Sequence, residues 1–413
     1  MEITVQEAPA QEPQGLAQLI LASVKQNTKQ YTMFLALLAI WAIFAFLTGG
    51  RFLQNRNLSN LSLQTVTVAA AAIPMVLVIV AGHIDLSVGS VLGFLGAVCA
   101  MLMISEATGL GAATAIAATL GVGLAVGAWH GFWIAYQKVP AFIVTLASQL
   151  AFRGLIIGLT GGQTQGLEMA PPASAAHFKL VGQGYVPTFA ADVQAGQLHD
   201  SSALIVALLV VVFWVVSFRR RAARQKYGFS VLPLYAEAAK LVLVSAVIAA
   251  FSKVWIYYLG IPWSVILVLV LTVVFSFVAG NTRFGRHLYA IGGNADAARL
   301  SGIDVGLNTF AMFCVMGVMT AICGILYTSR LNAATTGAGT NMELDAIASA
   351  VIGGTSLMGG EGTIFGAIIG ATVMSSLDNG MSLMNLDVTW QYVVKGLVLL
   401  LAVWVDMLQR KKT

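Results

Sequence analysis

The residues able to do chemistry are few, and most of them interrupt long apolar runs. Asp85 stands in the segment A-G-H-I-D-L-S-V-G (Ala81–Gly89), with apolar sequence on both sides. A carboxylate at membrane depth is costly, so it must face protein or a water-filled cavity. Two compatible readings are open. In one, Asp85, Ser87 and Ser90 are polar groups along a passage. In the other, Asp85 or Ser87 takes up free backbone N–H groups where the next helix starts. A second interruption is V-I-G-G-T-S-L-M-G-G-E-G-T-I-F-G-A-I-I-G (Val351–Gly370), in which glycines surround Thr355, Ser356 and Glu361. Non-helical backbone is tolerated at membrane depth only where protein or water satisfies it. The segment is therefore either a break on a translocation path, with Thr355 and Ser356 as its polar lining, or a tight turn between two ordinary spans. Asp345, Asp378, Asn379, Gln391 and Lys395 add polar groups in the same half. Lys395 follows Trp390 and Tyr392, and either snorkels to an interface or pairs with Asp378.

Other chemistries lack their residues. The dipeptide Gly-Lys does not occur, so there is no P-loop lysine to reach a nucleotide phosphate. H-E-x-x-H is absent, and the five histidines (His83, His130, His177, His199, His287) are scattered without ligand spacing. No Ser/His/Asp grouping is defensible. Cys99, Cys314 and Cys323 all lie in apolar runs, which reads as packing and not as a disulfide framework. The expectation is a chain with no catalytic residues, no metal and no cofactor of its own.

The elements that hold these residues follow from composition. Of 413 residues, 58% are hydrophobic and 9% charged, against about a quarter charged in soluble domains. So few charges cannot cover a water-facing surface of this size. Apolar runs near 31–49, 63–82, 88–105, 112–136, 141–160, 202–218, 238–258, 261–280, 307–327, 344–358, 363–379 and 389–408 match the roughly 20 residues a bilayer core needs. The pair 344–358 and 363–379 is short and Gly-interrupted: two tilted spans or a re-entrant hairpin. The expected fold is all-α, a polytopic bundle of about 10–12 spans with broken or short Gly-rich helices. With both termini inside, 14 lysines and arginines fall in inside loops and only Arg51, Arg56, Lys179 and Arg330 in outside loops. The positive-inside rule is met in this orientation alone.

On this frame 1–30 is a cytoplasmic segment, its stretch Gly15–Lys29 weakly amphipathic. Residues 31–408 form the membrane domain, and 409–413 a basic cytoplasmic tail. The loop 161–201 lies outside and either caps the outer mouth, docks a partner, or is a structured connector. The loops 219–237 and 281–306 lie inside, and the second is polar and long enough for short helices. Gly123, Gly127 and Gly131 recur every four residues, as do Gly89 and Gly93, and Gly366 and Gly370. Such ridges let helix backbones approach closely.

Four segments carry a resemblance. I-D-L-S-V-G-S (Ile84–Ser90), P-A-F-I-V-T-L-A (Pro140–Ala147), Y-A-I-G-G-N-A-D-A-A-R-L-S-G-I (Tyr289–Ile303) and E-L-D-A-I-A-S-A-V-I-G-G-T-S-L (Glu343–Leu357) resemble the permeases of bacterial monosaccharide ABC importers. The match runs in order from about residue 31 to the end. S-L-D-N-G-M-S (Ser376–Ser382), W-Q-Y-V-V-K-G (Trp390–Gly396) and the added length in Ser174–Leu241 look most like the xylose branch. His83 is a departure, since many relatives have Gly before Ile-Asp.

The resemblance implies a homodimer in the bacterial inner membrane. It implies two cytoplasmic ATPase domains, on a partner ATPase subunit that binds ATP and Mg, a periplasmic sugar-binding protein, and a monosaccharide moved by alternating access. It also implies that Tyr289–Ile303 docks into the ATPase, with Tyr289, Gly292, Asn294, Arg299, Ser301 and Gly302 as its marked positions. The residues agree on their own terms: Asn294 can cap a short helix through Ala295–Leu300 and present Arg299. The main alternative is an ion-coupled secondary transporter, which needs an acidic relay along its path and has no use for a docking loop. A membrane enzyme, the third class, would have to form product as a lone chain.

Overall fold

The computed structural model describes residues 28–105, 107–189, 196–229, 231 and 233–410. Most of the N-terminal segment, and the end of the tail, lie outside the described residues. Fifteen α-helices are present among those described. They are α1 (Thr28–Leu47), α2 (Asn55–Val80), α3 (Val88–Ile104), α4 (Ala112–Gly131), α5 (Ala141–Thr160), α6 (Pro172–Gln183), α7 (Asp200–Lys226) and α8 (Leu234–Ile256). There follow α9 (Trp263–Asn281), α10 (Arg283–Gly293), α11 (Ala295–Leu300), α12 (Val305–Leu331), α13 (Met342–Ile352), α14 (Ile364–Leu383) and α15 (Val388–Arg410). Seven of them are long and apolar enough to cross a bilayer, and three shorter apolar helices join them.

Helix α2 is the centre, with 83% of its apolar window buried, against 17% for α7 and 11% for α8. The reason is visible in its residues. From Val66 to Val80 every position is apolar or Thr, and Ala69–Ala72 are small, so the helix has no polar face to turn outward. Around it stand α12, α13, α14 and α9. The α7/α8 hairpin is peripheral. It is tied together by Trp214 Nε1 donating to Ser245 Oγ (2.8 Å) and to α2 by Trp255 Nε1 donating to Ser62 Oγ (3.2 Å).

The glycine ridge of α4 meets α12. A Cβ on Gly123 would stand 2.7 Å from the Gly317 carbonyl, and one on Gly131 3.0 Å from that of Phe310. Gly317 answers from α12, its own Cβ position lying 2.7 Å from Gly127 Cα. The two backbones are in contact over two turns.

The long loop 161–201 is structured where it is described. A two-residue strand β1 (Gln165–Gly166) pairs antiparallel with β2 (Ala333–Ala334). Helix α6 lies on the end of α12, where Ser329 Oγ accepts from Gly182 N (2.8 Å) and donates to the Phe178 carbonyl. At the opposite end of α12 stand α10 and α11.

Two apolar runs have different limits from those the pattern suggests. The run 202–218 is part of a helix that continues to Lys226, because Arg, Ala, Gln and Lys end hydropathy without ending helix propensity. The run 344–358 holds a helix only over Met342–Ile352, which stops where Gly354 takes φ +85°. At 11 residues, α13 is about 16 Å long, half a bilayer core.

Candidate functional site

The first break joins α2 to α3. Gly82 takes φ +81°, which lets His83 N reach back to the Val78 carbonyl (3.0 Å) and close the helix end. Asp85 is buried, and its Oδ1 accepts from Ser87 N (2.8 Å) and Ser87 Oγ (2.6 Å). The carboxylate thus holds the turn that leads into α3. Ser90, one turn on, is fully buried with no partner for its hydroxyl.

The second break lies before α13. Residues 332–341 leave the end of α12 and run back along α3. Gly96 faces Thr328 near the end of α12, whereas Ala338 faces Gly93 and Gly339 faces Gly89, so Gly93 and Gly89 on α3 make room for a non-helical stretch of chain. Arg153 pins that stretch by donating to the carbonyls of Ala338 (2.9 Å) and Thr336 (3.3 Å). Helix α13 therefore starts beside the first turn of α3. Glu343 enters there, buried, with Oε1 accepting from Gln149 Nε2 (3.0 Å) and Oε2 against Gly89 without a partner. Asp85 is within electrostatic reach of Glu343 and of His130, whose Nε2 is 2.8 Å from Ser148 Oγ. Asp85 and Glu343 lie at two helix starts, where helix dipoles favour negative charge, and with buried His130 and half-buried Gln149 they make one polar cluster.

Beside it is a charged triad. Lys395 Nζ lies 3.0 Å from Asp345 Oδ2 and 2.8 Å from Asp378 Oδ2. The pairing with Asp378, one of two readings of Lys395, is present, and Asp345 joins it. A cavity of about 90 Å³ borders Asn341, Asp345, Tyr392 and Lys395. Among the described residues no three His, Cys, Asp or Glu side chains gather as a metal-ligand set.

The Gly-rich segment 353–363 connects α13 to α14. Gly354, Gly359 and Gly360 take φ of +85°, +86° and +75°, and Thr363 caps α14 by accepting from Gly366 N (3.1 Å). Thr355 and Ser356 are buried in it; Ser356 Oγ accepts from Met358 N (3.1 Å), while the Thr355 hydroxyl has no partner. Gly360 N donates to the carbonyl of Val80 (2.8 Å), the last residue of α2. The five polar residues singled out by sequence thus fall in two groups that meet through the end of α2. All five are buried in this conformation. A cavity of about 390 Å³ opens next to the first break, lined by Gly82, His83, Ile84, Lys138, Pro140 and Phe142 among others. That volume lies in the range of small-molecule sites.

The polar loop 281–306 is two capped helices. Thr282 caps α10 through Gly285 N (3.2 Å). Asn294 Oδ1 caps α11 through Asp296 N (3.0 Å) and Ala297 N (2.9 Å), and Asp304 caps α12 through Leu307 N (2.8 Å). Ser301 and Gly302 end α11, the glycine at φ +83°. Arg299 is exposed beside Asp296, and Leu300 is 91% exposed. A bare leucine at the tip of a rigid capped helix is a docking feature in form. Tyr289 and Gly292 point the other way, into the bundle. Tyr289 Oη donates to the Gly362 carbonyl (2.6 Å), and burial pushes its phenol above the usual tyrosine range, which keeps it a donor.

Sequence reasoning missed Glu343 with Gln149, Arg153, and the tie of Asp345 to Lys395. The acid pair of E-L-D was the available signal, since two carboxylates in a helix's first turn mark a start and not a midpoint.

Comparisons place the chain. A model of the branched-chain amino acid transport system / permease component family matches residues 57–222 and 229–403. The xylose transport system permease protein XylH of Haemophilus influenzae is 43% identical over 386 residues, 94% of this chain and 98% of the relative. The protein of that name from Escherichia coli K12 is 43% identical over 389 residues, 94% of each chain. The ribose import permease protein RbsC of Escherichia coli K12 is 32% identical over 373 residues, 90% of this chain and 92% of the relative. No solved structure matches.

Proposed function

The chain belongs to the branched-chain amino acid transport system / permease component family, and from this premise we propose that it is the membrane permease of an ABC importer for a monosaccharide, D-xylose. The 43% identity to a xylose permease over 94% of the chain supports the sugar. The observation that carries the ATP-driven reading is α11, a capped helix that exposes Arg299 and Leu300 at one end of the bundle while Tyr289 and Gly292 grip its interior.

In this reading residues 31–408 are the permease domain, in the inner membrane. The loops 219–237 and 281–306 are cytoplasmic with the termini, and 161–201 is periplasmic. Two copies form the passage. A separate ATPase binds ATP and Mg and hydrolyses ATP against α10–α11, and a periplasmic binding protein delivers sugar. The permease itself catalyses nothing. The first break and the segment 353–363 are where the chain can shift against the end of α2, with Asp85, Ser87, Ser90, Thr355 and Ser356 on their moving surfaces.

A secondary transporter remains the alternative, and one observation favours it. Asp85, Glu343 and Asp345 are all buried, more intramembrane acid than the sequence suggests. Asp345 and its half-buried neighbour Asp378 are, however, held by Lys395, Asp85 by its own turn and Glu343 by Gln149, so they make no continuous relay.

The test is docking. Arg299→Glu reverses the charge on the exposed face of α11 and should weaken co-purification with the partner ATPase by at least about tenfold, roughly 1.4 kcal/mol, since a like-charge contact at an interface costs several kcal/mol. The bundle should keep its thermal stability. Undiminished docking would remove α11 from the ATPase interface.

A further inference from the structure

We infer that the Gly-rich segment 353–363 is the relay that carries movement of α10–α11 into the buried half-helix α13, with Tyr289 and Gly292 as its positioning residues. The inference rests on the docking reading above and adds the path inward from it. Three contacts carry it, and two of them are backbone to backbone. Gly292 stands so close that a Cβ would overlap the Val80 carbonyl and lie 2.7 Å from Gly360 N. Gly359 faces back, its Cβ position 2.7 Å from the Gly292 carbonyl. Tyr289 Oη donates to the Gly362 carbonyl across 2.6 Å.

Main chain pressed on main chain has no rotamers with which to absorb a displacement, and packed interfaces switch between arrangements instead of deforming smoothly. A push on α10 therefore reaches both Val80 and the 353–363 segment. Beyond that segment the path is stiff. Gly353 packs on the backbone of Gly366 and Ala367, and a Cβ on Gly370 would stand 2.9 Å from Ser349 Cα. Helices α13 and α14 must then move as one body. The far end of α13 carries Glu343 and Asp345, next to the α3 start that Asp85 holds. The relay thus ends at the buried polar cluster. Gly293, one residue along, supplies the contrast: nothing lies within 4 Å of its Cβ position.

The experiment uses the reconstituted complex of permease, ATPase and binding protein, and measures three things in each variant: ATPase docking, ATP hydrolysis stimulated by xylose-loaded binding protein, and xylose moved per ATP. Tyr289→Phe removes one hydroxyl and should dock and hydrolyse within about twofold of wild type while moving roughly fivefold less sugar per ATP, the order of one lost hydrogen bond. Gly292→Ala should lower the ratio further, and Gly293→Ala should leave it unchanged. Tyr289→Phe with a wild-type ratio in a docked complex overturns the relay, as does an equal loss in Gly293→Ala. A failure of the docking reading shows separately, as Arg299→Glu binding the ATPase like wild type. Should Gly292→Ala fold poorly, Tyr289→Phe alone decides.

Discussion

Lys395→Met should destabilise the protein by about 3–5 kcal/mol, the cost of breaking a buried ion pair from one side. Lys395 is the cation between Asp345 and Asp378, with side-chain exposures of 17%, 6% and 31% respectively. Methionine keeps the stem's volume and removes the charge. Two carboxylates then face each other in a setting where one alone is costly. Asp378 Oδ1 already lacks a partner, so nothing nearby takes over. The triad also fastens α13 to α14 and α15, and α13 is too short to hold itself across a membrane. The check is thermal unfolding in detergent, followed by size-exclusion chromatography. Adding Asp345→Asn and Asp378→Asn should restore much of the loss, because neutralising a whole buried cluster is far less damaging than orphaning part of it. A Lys395→Met protein as stable as wild type would mean that the triad contributes no net stability.

The second large effect is at the glycine ridge. Gly127→Leu should cost about 3 kcal/mol, the upper end for overpacking, whereas Gly121→Leu should stay within about 0.5 kcal/mol, as for surface positions. Both glycines lie on α4, six residues apart in sequence. A Cβ on Gly121 meets nothing within 4 Å, while one on Gly127 overlaps the Phe313 carbonyl and stands 2.9 Å from Cys314 Cα. The obstacles are backbone, so no rotamer relieves them and the α4–α12 contact must open. Thermal unfolding of the two variants side by side measures the difference. Equal melting temperatures would show that α4 and α12 are not packed this closely.

Which parts of this architecture a linear reading can find depends on the range of the interaction. The α4 ridge is legible because the four-residue spacing of Gly123, Gly127 and Gly131 is itself the helix contact pattern. The start of α11 is legible because a cap is a local matter, with Asn294 bonding only two and three residues ahead. The spans follow from composition. Pairing across distance does not. Glu343 and Gln149 are 194 positions apart, and Lys395 and Asp345 50 apart; no periodicity links them. The segment 332–341, N-A-A-T-T-G-A-G-T-N, has the composition of an exposed loop. Only its partners, Gly89 and Gly93 on α3, show that it runs inward along a helix. The Gly89/Gly93 ridge is visible in the sequence, but the spacing does not say that its partner is loop and not helix.

The central claim, an ATP-driven sugar permease, is tested most directly by xylose uptake into proteoliposomes holding this chain, with the ATPase inside and the binding protein outside. The expected result is uptake that needs ATP and the binding protein, is abolished when either is omitted, and is indifferent to proton or sodium gradients. Uptake by the permease alone, driven by an ion gradient and unchanged without ATP, would contradict it and make the buried acids Asp85, Glu343 and Asp345 the first candidates for ion carriers.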